Sequence, residues 1–241
     1  MKTHALLKEL KKLVPEKLEL LLLDLIFKRF MVVEVETTTA CNRRCSYCPN
    51  SRFDRGLLKN KKLMPTRLFF KLIDELSEIN FKGSLHPHFY GEPLLDERLP
   101  GLVKYARLKL PKADITIFTN GDLLTPKIKE NLIKAGVDNF VIKKSQEDLK
   151  SLSNRGGLLD YSGGTRFKYC SFPSKFVVID YAGNVILCCN DYFSSVKFGN
   201  INNEKLMDIW NKPNYRRVRR DLRKGIFNLE ICKNCKVIEK N

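Results

Sequence analysis

No apolar run in this chain is long enough to cross a bilayer. The longest candidate, residues 18–27, is broken by Glu19 and Asp24 and falls far short of the roughly 20 residues a span requires. A membrane span is therefore excluded. The basic residues around that run, among them Lys8, Lys11, Lys28 and Arg29, suit a packed N-terminal helix pair or an amphipathic surface helix over residues 1–30. A secretory signal pattern is also missing, so the eight cysteines read as metal ligands in a reducing cytosol rather than as disulfides, and a cytoplasmic location is expected. There are no internal repeats or low-complexity tracts, and a hydrophobic fraction of 43% is that of an ordinary globular protein rather than a disordered chain. Acidic residues are scarce, 27 against 44 Lys and Arg, and the formal charge of +17 favours anionic partners. Only Tyr215 to Lys224 is dense enough in arginine to form a patch. At helical spacing its side chains point in several directions, so nucleic acid is not an expected partner.

What is present is grouped cysteine. Cys41, Cys45 and Cys48 stand at C-x3-C-x2-C spacing just after an apolar, β-branched run at 31–38. Three thiolates are one short of closing a tetrahedral metal site or a four-iron cluster, and an open position is what chemistry uses, because a substrate or cofactor can fill it. The run at 31–38 reads as a buried strand that delivers Cys41 at its end. A helix over 63–79 follows, then a strand over 84–90. On that strand Leu85, Pro87 and Phe89 fall on one face and His86, His88 and Tyr90 on the other, which suggests a ligand-bearing lumen. Two histidines invite a metal, but no third ligand stands nearby in sequence; hydrogen-bonded packing or substrate contact is the preferred reading.

A helix over 98–109, a strand over 114–119, a helix over 125–136 and a strand over 137–143 complete a strand–helix alternation, which means a parallel sheet with right-handed crossovers. The cysteine loop, Gly91-Glu92-Pro93 and Thr119-Asn120-Gly121 all follow strands and so share one rim, where sites form in parallel barrels. From Ser145 the helical register fades, and Asn154 to Gly157 and Ser162 to Gly164 mark loops. A hairpin is expected at 175–180 and 185–189, turning at 181–184, then helices at 203–210 and 214–224, then Cys232 and Cys235.

The cysteine spacing, with Tyr47 before the last cysteine, resembles the signature of the radical S-adenosylmethionine (radical SAM) superfamily. Gly91-Glu92-Pro93 looks like that family's second-strand motif, which receives the methionine amino group. The resemblance implies a four-iron cluster on Cys41, Cys45 and Cys48. It implies S-adenosylmethionine on the open iron, with Tyr47, Gly91, Glu92, Pro93 and Asn120 as cofactor-binding candidates. It also implies a 5′-deoxyadenosyl radical that abstracts a substrate hydrogen atom, and a reductant such as flavodoxin or ferredoxin. Cys170, Gly183-x4-Cys188 and the closing Cys232-x2-Cys235 resemble the twitch form of the SPASM domain, with one auxiliary four-iron cluster. Zinc is the competing reading of four cysteines. Of the adjacent pair, the glycine spacing selects Cys188 and leaves Cys189 spare.

The expected fold is α/β: a partial, open (β/α) TIM-like barrel over 31–157, a helical segment over 1–30, and a small hairpin-plus-helix iron-sulfur domain over 158–241. Too few residues separate the fourth strand from Arg155 for another full helix and strand, so the barrel is expected to be open. Size and the single auxiliary cluster look most similar to radical SAM dehydrogenases acting on an aminocyclitol alcohol. On that reading the substrate is a small polyol or amino sugar. Arg155 is the candidate for gripping its oxygen, and His86, His88 and Tyr90 are alternative proton acceptors. A SPASM-type peptide or protein maturase is a second reading. A non-catalytic iron-sulfur or zinc module binding nucleic acid is a third, and it leaves the three-cysteine site unexplained.

Overall fold

The computed structural model describes residues 30–143, 151–160 and 164–239, so all but the last residue of the expected segment 1–30 and the loop positions Ser162 and Gly163 lie outside the described residues. The chain enters through β1 (Val32–Val35), three valines and a glutamate. α1 (Thr66–Glu78) returns along the sheet with Leu68, Phe69, Leu72, Ile73 and Leu76 buried on one face, the spacing an amphipathic helix requires. β2 (Ser84–His86), α2 (Leu99–Lys109), β3 (Asp114–Thr119), α3 (Pro126–Ala135) and β4 (Asn139–Ile142) repeat the unit. Sequence chemistry sets the ends of α3: Thr125 Oγ1 accepts from the Ile128 amide at the start, and Gly136 closes it at φ 114°.

β2 stops four residues earlier than the alternation at 84–90 suggests. Pro87 has no N–H to give the ladder, and the His88 amide turns back to the His86 carbonyl at 2.8 Å.

β5 (Ser151–Ser153) and β6 (Thr165–Arg166) follow, then α4 (Phe172–Lys175), β7 (Phe176–Ile179), β8 (Asn184–Ile186) and β9 (Lys197–Asn200). α5 (Leu206–Asn211), α6 (Pro213–Arg223), α7 (Glu230–Asn234) and β10 (Lys236–Glu239) complete the chain. β7 lies parallel to β1, with Glu34 opposite Val178, and one seven-stranded sheet runs β4-β3-β2-β1-β7-β8-β9. The sheet is thus mixed, not closed into a barrel, and continuous across the division expected at residue 157. β10 pairs between β5 and β6 in a second, three-stranded sheet, which ties the segment around Arg155 to the C-terminal end.

The two faces of the large sheet differ. Val33, Val35, Leu85, Ile115, Ile117, Val177 and Ile179 join the helices in one apolar core, which α5 and α6 close with Ile209, Trp210, Tyr215 and Leu222. Truncating a core side chain such as Leu72 of α1 costs about 2–5 kcal/mol. The other face carries Glu34, His86 and Val178 side by side across three strands.

The arginine-rich stretch is broken up by packing. Arg219 is buried, with its guanidinium 3.6 Å from the Trp210 ring centre and 4.4 Å from that of Tyr215, and Arg223 donates to Ser174 Oγ. No helix among the described residues is long and apolar enough to cross a membrane.

Candidate active site

The cysteine loop leaves β1 through five buried residues, Glu36 to Ala40. Its return is fixed by a two-point ion pair: Arg55 Nη1 and Nη2 reach Glu36 Oε1 and Oε2 at 2.8 and 2.6 Å. The Tyr181 amide donates to the same carboxylate. The guanidinium also lies near the rings of Phe89 and Tyr192. The Cys41 amide donates to the Gly56 carbonyl at 2.9 Å and that of Cys48 to the Cys45 carbonyl at 2.9 Å. Asn50 fastens the loop's far side, donating to the Tyr90 carbonyl and accepting from the Tyr192 hydroxyl.

Within this loop, burial pushes the Cys41 thiol up to about 11, and the charges of Cys48 and Cys45 add to the effect. Cys48 is raised by burial as well. The Tyr47 phenol, bonded to Cys45, is likewise pushed up by burial. Three thiols gathered at a half-buried rim suit a soft cationic core, which would turn each of them into a stable thiolate.

Two further loops lock onto the cysteine loop. Gly91 is required where it stands: a Cβ there would lie 2.0 Å from the Thr38 carbonyl oxygen. The Glu92 amide donates to the Ala40 carbonyl at 2.7 Å. The Glu92 side chain is buried, and its carboxylate accepts from Thr119 Oγ1 (2.7 Å), the Asn120 amide (2.9 Å) and the Leu94 amide (3.2 Å). Burial holds this carboxyl above its ordinary value despite the three donors. Pro93 opens the short 3-10 turn that follows.

Asn120 Nδ2 donates to Asn42 Oδ1, and Asn42 and Arg43 both donate to Asp122 Oδ2, at 2.9 and 2.7 Å. Glu92 and Asn120 therefore spend their side chains holding the rim together. Asn42, Arg43 and Asp122 are the partners that sequence reasoning missed. Asn120-Gly121-Asp122 reads as a turn, but nothing local shows that it bonds a loop some 80 residues away.

The second cysteine set lines one cavity of about 480 Å³. Cys170 enters from the loop before α4, Cys188 follows β8, Cys232 is on α7 and Cys235 caps its end. Phe172, Phe227 and Ile231 supply apolar walls. Burial raises all four thiols, Cys232 to about 12 and Cys188 well above the ordinary range. A closed set of four soft ligands in an apolar cavity fits a complete cluster. Cys189 also borders the cavity; burial raises its thiol most, and the charges acting most on it are those of Glu34 and Arg155.

Arg155 stands between the two cysteine sets. Its positive charge reaches Cys48 of the first and Cys235 of the second, as well as Tyr90, Cys189 and His88. The guanidinium lies 5.7 Å from the Tyr90 ring centre. The backbone there is left-handed, φ 52°, a conformation that costs a non-glycine residue free energy and persists only where the surroundings impose it. Here they do: Asn154 Nδ2 donates to the Asn234 carbonyl at 2.7 Å, the Lys236 amide donates to Asn154 Oδ1, and Gly156 abuts Ile231.

Residues 35–144 match the model of the radical SAM superfamily, and residues 170–236 match SPASM, an iron-sulfur cluster-binding domain. The chain is 33% identical over 237 residues to the S-adenosyl-L-methionine-dependent 2-deoxy-scyllo-inosamine dehydrogenase of Niallia circulans, covering 86% of this chain and 93% of that protein. The chain belongs to the radical SAM superfamily. It is a radical SAM enzyme with a C-terminal SPASM domain, and its cofactors are S-adenosylmethionine and iron-sulfur clusters. Among solved structures it is similar to BtrN in complex with AdoMet and 2-DOIA, with TM-score 0.79, 32% identity, and coverage of 86% of this chain and 93% of that one. Streptococcus suis SuiB bound to precursor peptide SuiA is similar in fold alone, with TM-score 0.56 at 12% identity, over 84% of this chain and 71% of that one.

Proposed function

We propose that this radical SAM enzyme oxidises an alcohol carbon of a small polyol or amino-sugar-like molecule held between the two cysteine sites. Cys41, Cys45 and Cys48 hold the cluster that carries S-adenosylmethionine, Cys170, Cys188, Cys232 and Cys235 hold one auxiliary four-iron cluster, and a flavodoxin or ferredoxin supplies electrons. When bound, these groups supply a hydrogen-atom acceptor made by reductive cleavage of S-adenosylmethionine and, on the far side, an electron acceptor.

The observation that carries the reading is the position of Arg155: its guanidinium lies 5.7 Å from the Tyr90 ring centre and donates to Asn190, which in turn donates to Cys235 Sγ. A guanidinium there stabilises negative charge developing on a substrate oxygen as its proton leaves. Tyr90 is a poor proton acceptor. Its hydroxyl donates to the Cys189 carbonyl at 2.7 Å, and burial keeps the phenol protonated. His88 is held neutral by burial. Likeness over 93% of a named aminocyclitol dehydrogenase supports the alcohol as the reacting group.

The test is anaerobic turnover of the reduced holoenzyme on polyols and aminocyclitols deuterated at the carbinol carbon. The expected result is deuterium in 5′-deoxyadenosine together with an equimolar ketone. Transfer of deuterium from a labelled peptide, and from none of the small alcohols, would overturn the reading.

A further inference from the structure

Glu34, His86 and His88 form a group that neither cysteine site uses. Cross-strand register sets Glu34 of β1 directly beside His86 of β2, and the turn at Pro87 swings His88 back to the same face. His86 Nδ1 and His88 Nε2 each lie 4.0 Å from Glu34 Oε1, too far for a hydrogen bond. Both ring nitrogens, and Glu34 Oε2, are buried without a hydrogen-bond partner. Native structures rarely leave three such atoms together unless something else engages them.

The tautomer of His88 follows from its other nitrogen. Nδ1 faces the Phe89 carbonyl at 3.4 Å, so the ring proton belongs on Nδ1 and the Nε2 lone pair points at Glu34. A backbone carbonyl behind one ring nitrogen is the usual support of a metal-bound imidazole. Phe118 lies against both imidazoles, with ring centres 4.9 and 4.4 Å away, and fixes their planes.

We propose that Glu34, His86 and His88 bind one divalent cation of the zinc, iron(II) or manganese type. The donor atoms lie within 4.8 Å of one another. A cation at the centre of a triangle of that size is about 2.5 Å from each donor, so small side-chain rotations bring it to the 2.0–2.1 Å of a zinc–nitrogen bond. Two imidazoles and a carboxylate suit such ions, whereas the seven thiols proposed as cluster ligands suit iron-sulfur cores. Three protein ligands leave the cation an open position, the mark of a site that takes a further ligand such as a hydroxyl. Arg155 opposes a second positive charge beside His88, and the Glu34 carboxylate offsets it. An ammonium group is the competing occupant, and the test separates the two. The inference goes beyond the oxidation reading and does not depend on it.

Reconstituted holoenzyme, a His86→Ala/His88→Ala variant and a Glu34→Gln variant are equilibrated anaerobically with zinc and passed over chelating resin. Zinc and iron per chain and the zinc K-edge absorption are then measured. The expected result is one zinc per wild-type chain beyond the full iron content, with a nitrogen and oxygen shell at about 2.0–2.1 Å and no sulfur. Zinc affinity should fall at least tenfold in the double variant at unchanged iron. If the double variant loses iron, the near-isosteric Glu34→Gln protein is read instead, with the same expected fall. Zinc at sulfur distances, no retained zinc in the wild type, or uptake unaltered in the variants would each overturn the metal site.

Discussion

Replacing Arg55 with methionine removes the charge that closes the cysteine loop and keeps most of the side-chain volume. Glu36 is fully buried and the Arg55 side chain is only 15% exposed, so this is a buried pair whose disruption costs about 3–5 kcal/mol. Burial already pushes the Glu36 carboxyl up with Arg55 against it. Without Arg55 it takes up a proton instead of standing as a bare charge, which places the loss in the lower half of that range. At about 2–4 °C per kcal/mol for a chain of this size, the midpoint falls by roughly 6–16 °C. A Glu36→Leu/Arg55→Met chain removes both charges and should recover most of the loss. It retains a deficit of about 1–3 kcal/mol because the Tyr181 amide is left without its acceptor. Thermal unfolding of the anaerobic holoenzyme by circular dichroism, at one scan rate throughout, reads the effect, and iron per chain reads the loop. A fall below about 3 °C in the single variant, or a double variant less stable than the single one, would refute the view that this pair anchors the loop.

Other consequences are as specific. Gly91→Ala places a methyl 2.0 Å from the Thr38 carbonyl oxygen; cleavage of S-adenosylmethionine should drop at least tenfold while the auxiliary cluster's absorption stays. Arg155→Gly relieves the left-handed backbone, worth about 1 kcal/mol, so its melting temperature should hold or rise while alcohol oxidation falls about a hundredfold. Retained oxidation would remove Arg155 from the mechanism. Cys188→Ser should cost about four irons per chain and Cys189→Ser none, measured by iron assay; the reverse pattern would exchange their roles.

Local pattern made much of this molecule readable. Val32 to Val35, Asp114 to Thr119 and the capped helix from Pro126 to Ala135 are fixed by β-branching, alternation and caps, all contained in short windows. The cysteine spacing was readable for the same reason. What stayed hidden is register between distant segments. Glu34 gives no sign in sequence that it stands beside His86, and it is the third ligand whose absence made a metal look remote. Neither the pairing of β7 with β1 nor the place of β10 between β5 and β6 follows from any periodicity, since strand order is set by tertiary packing. Arg219 is the same lesson in reverse: it belongs to the arginine-dense stretch, yet it is buried against the rings of Trp210 and Tyr215.

On this reading Cys41, Cys45 and Cys48 form the S-adenosylmethionine site and the downstream four cysteines form a separate one. The most direct test is anaerobic reconstitution of the wild type and of a Cys41→Ala/Cys45→Ala/Cys48→Ala variant, with iron, sulfide and 5′-deoxyadenosine measured on the same samples. About eight irons and eight sulfides with reductive cleavage in the wild type are predicted, against about four of each and no cleavage in the variant. Stoichiometric zinc in place of iron, or cleavage that survives loss of the three cysteines, would contradict it.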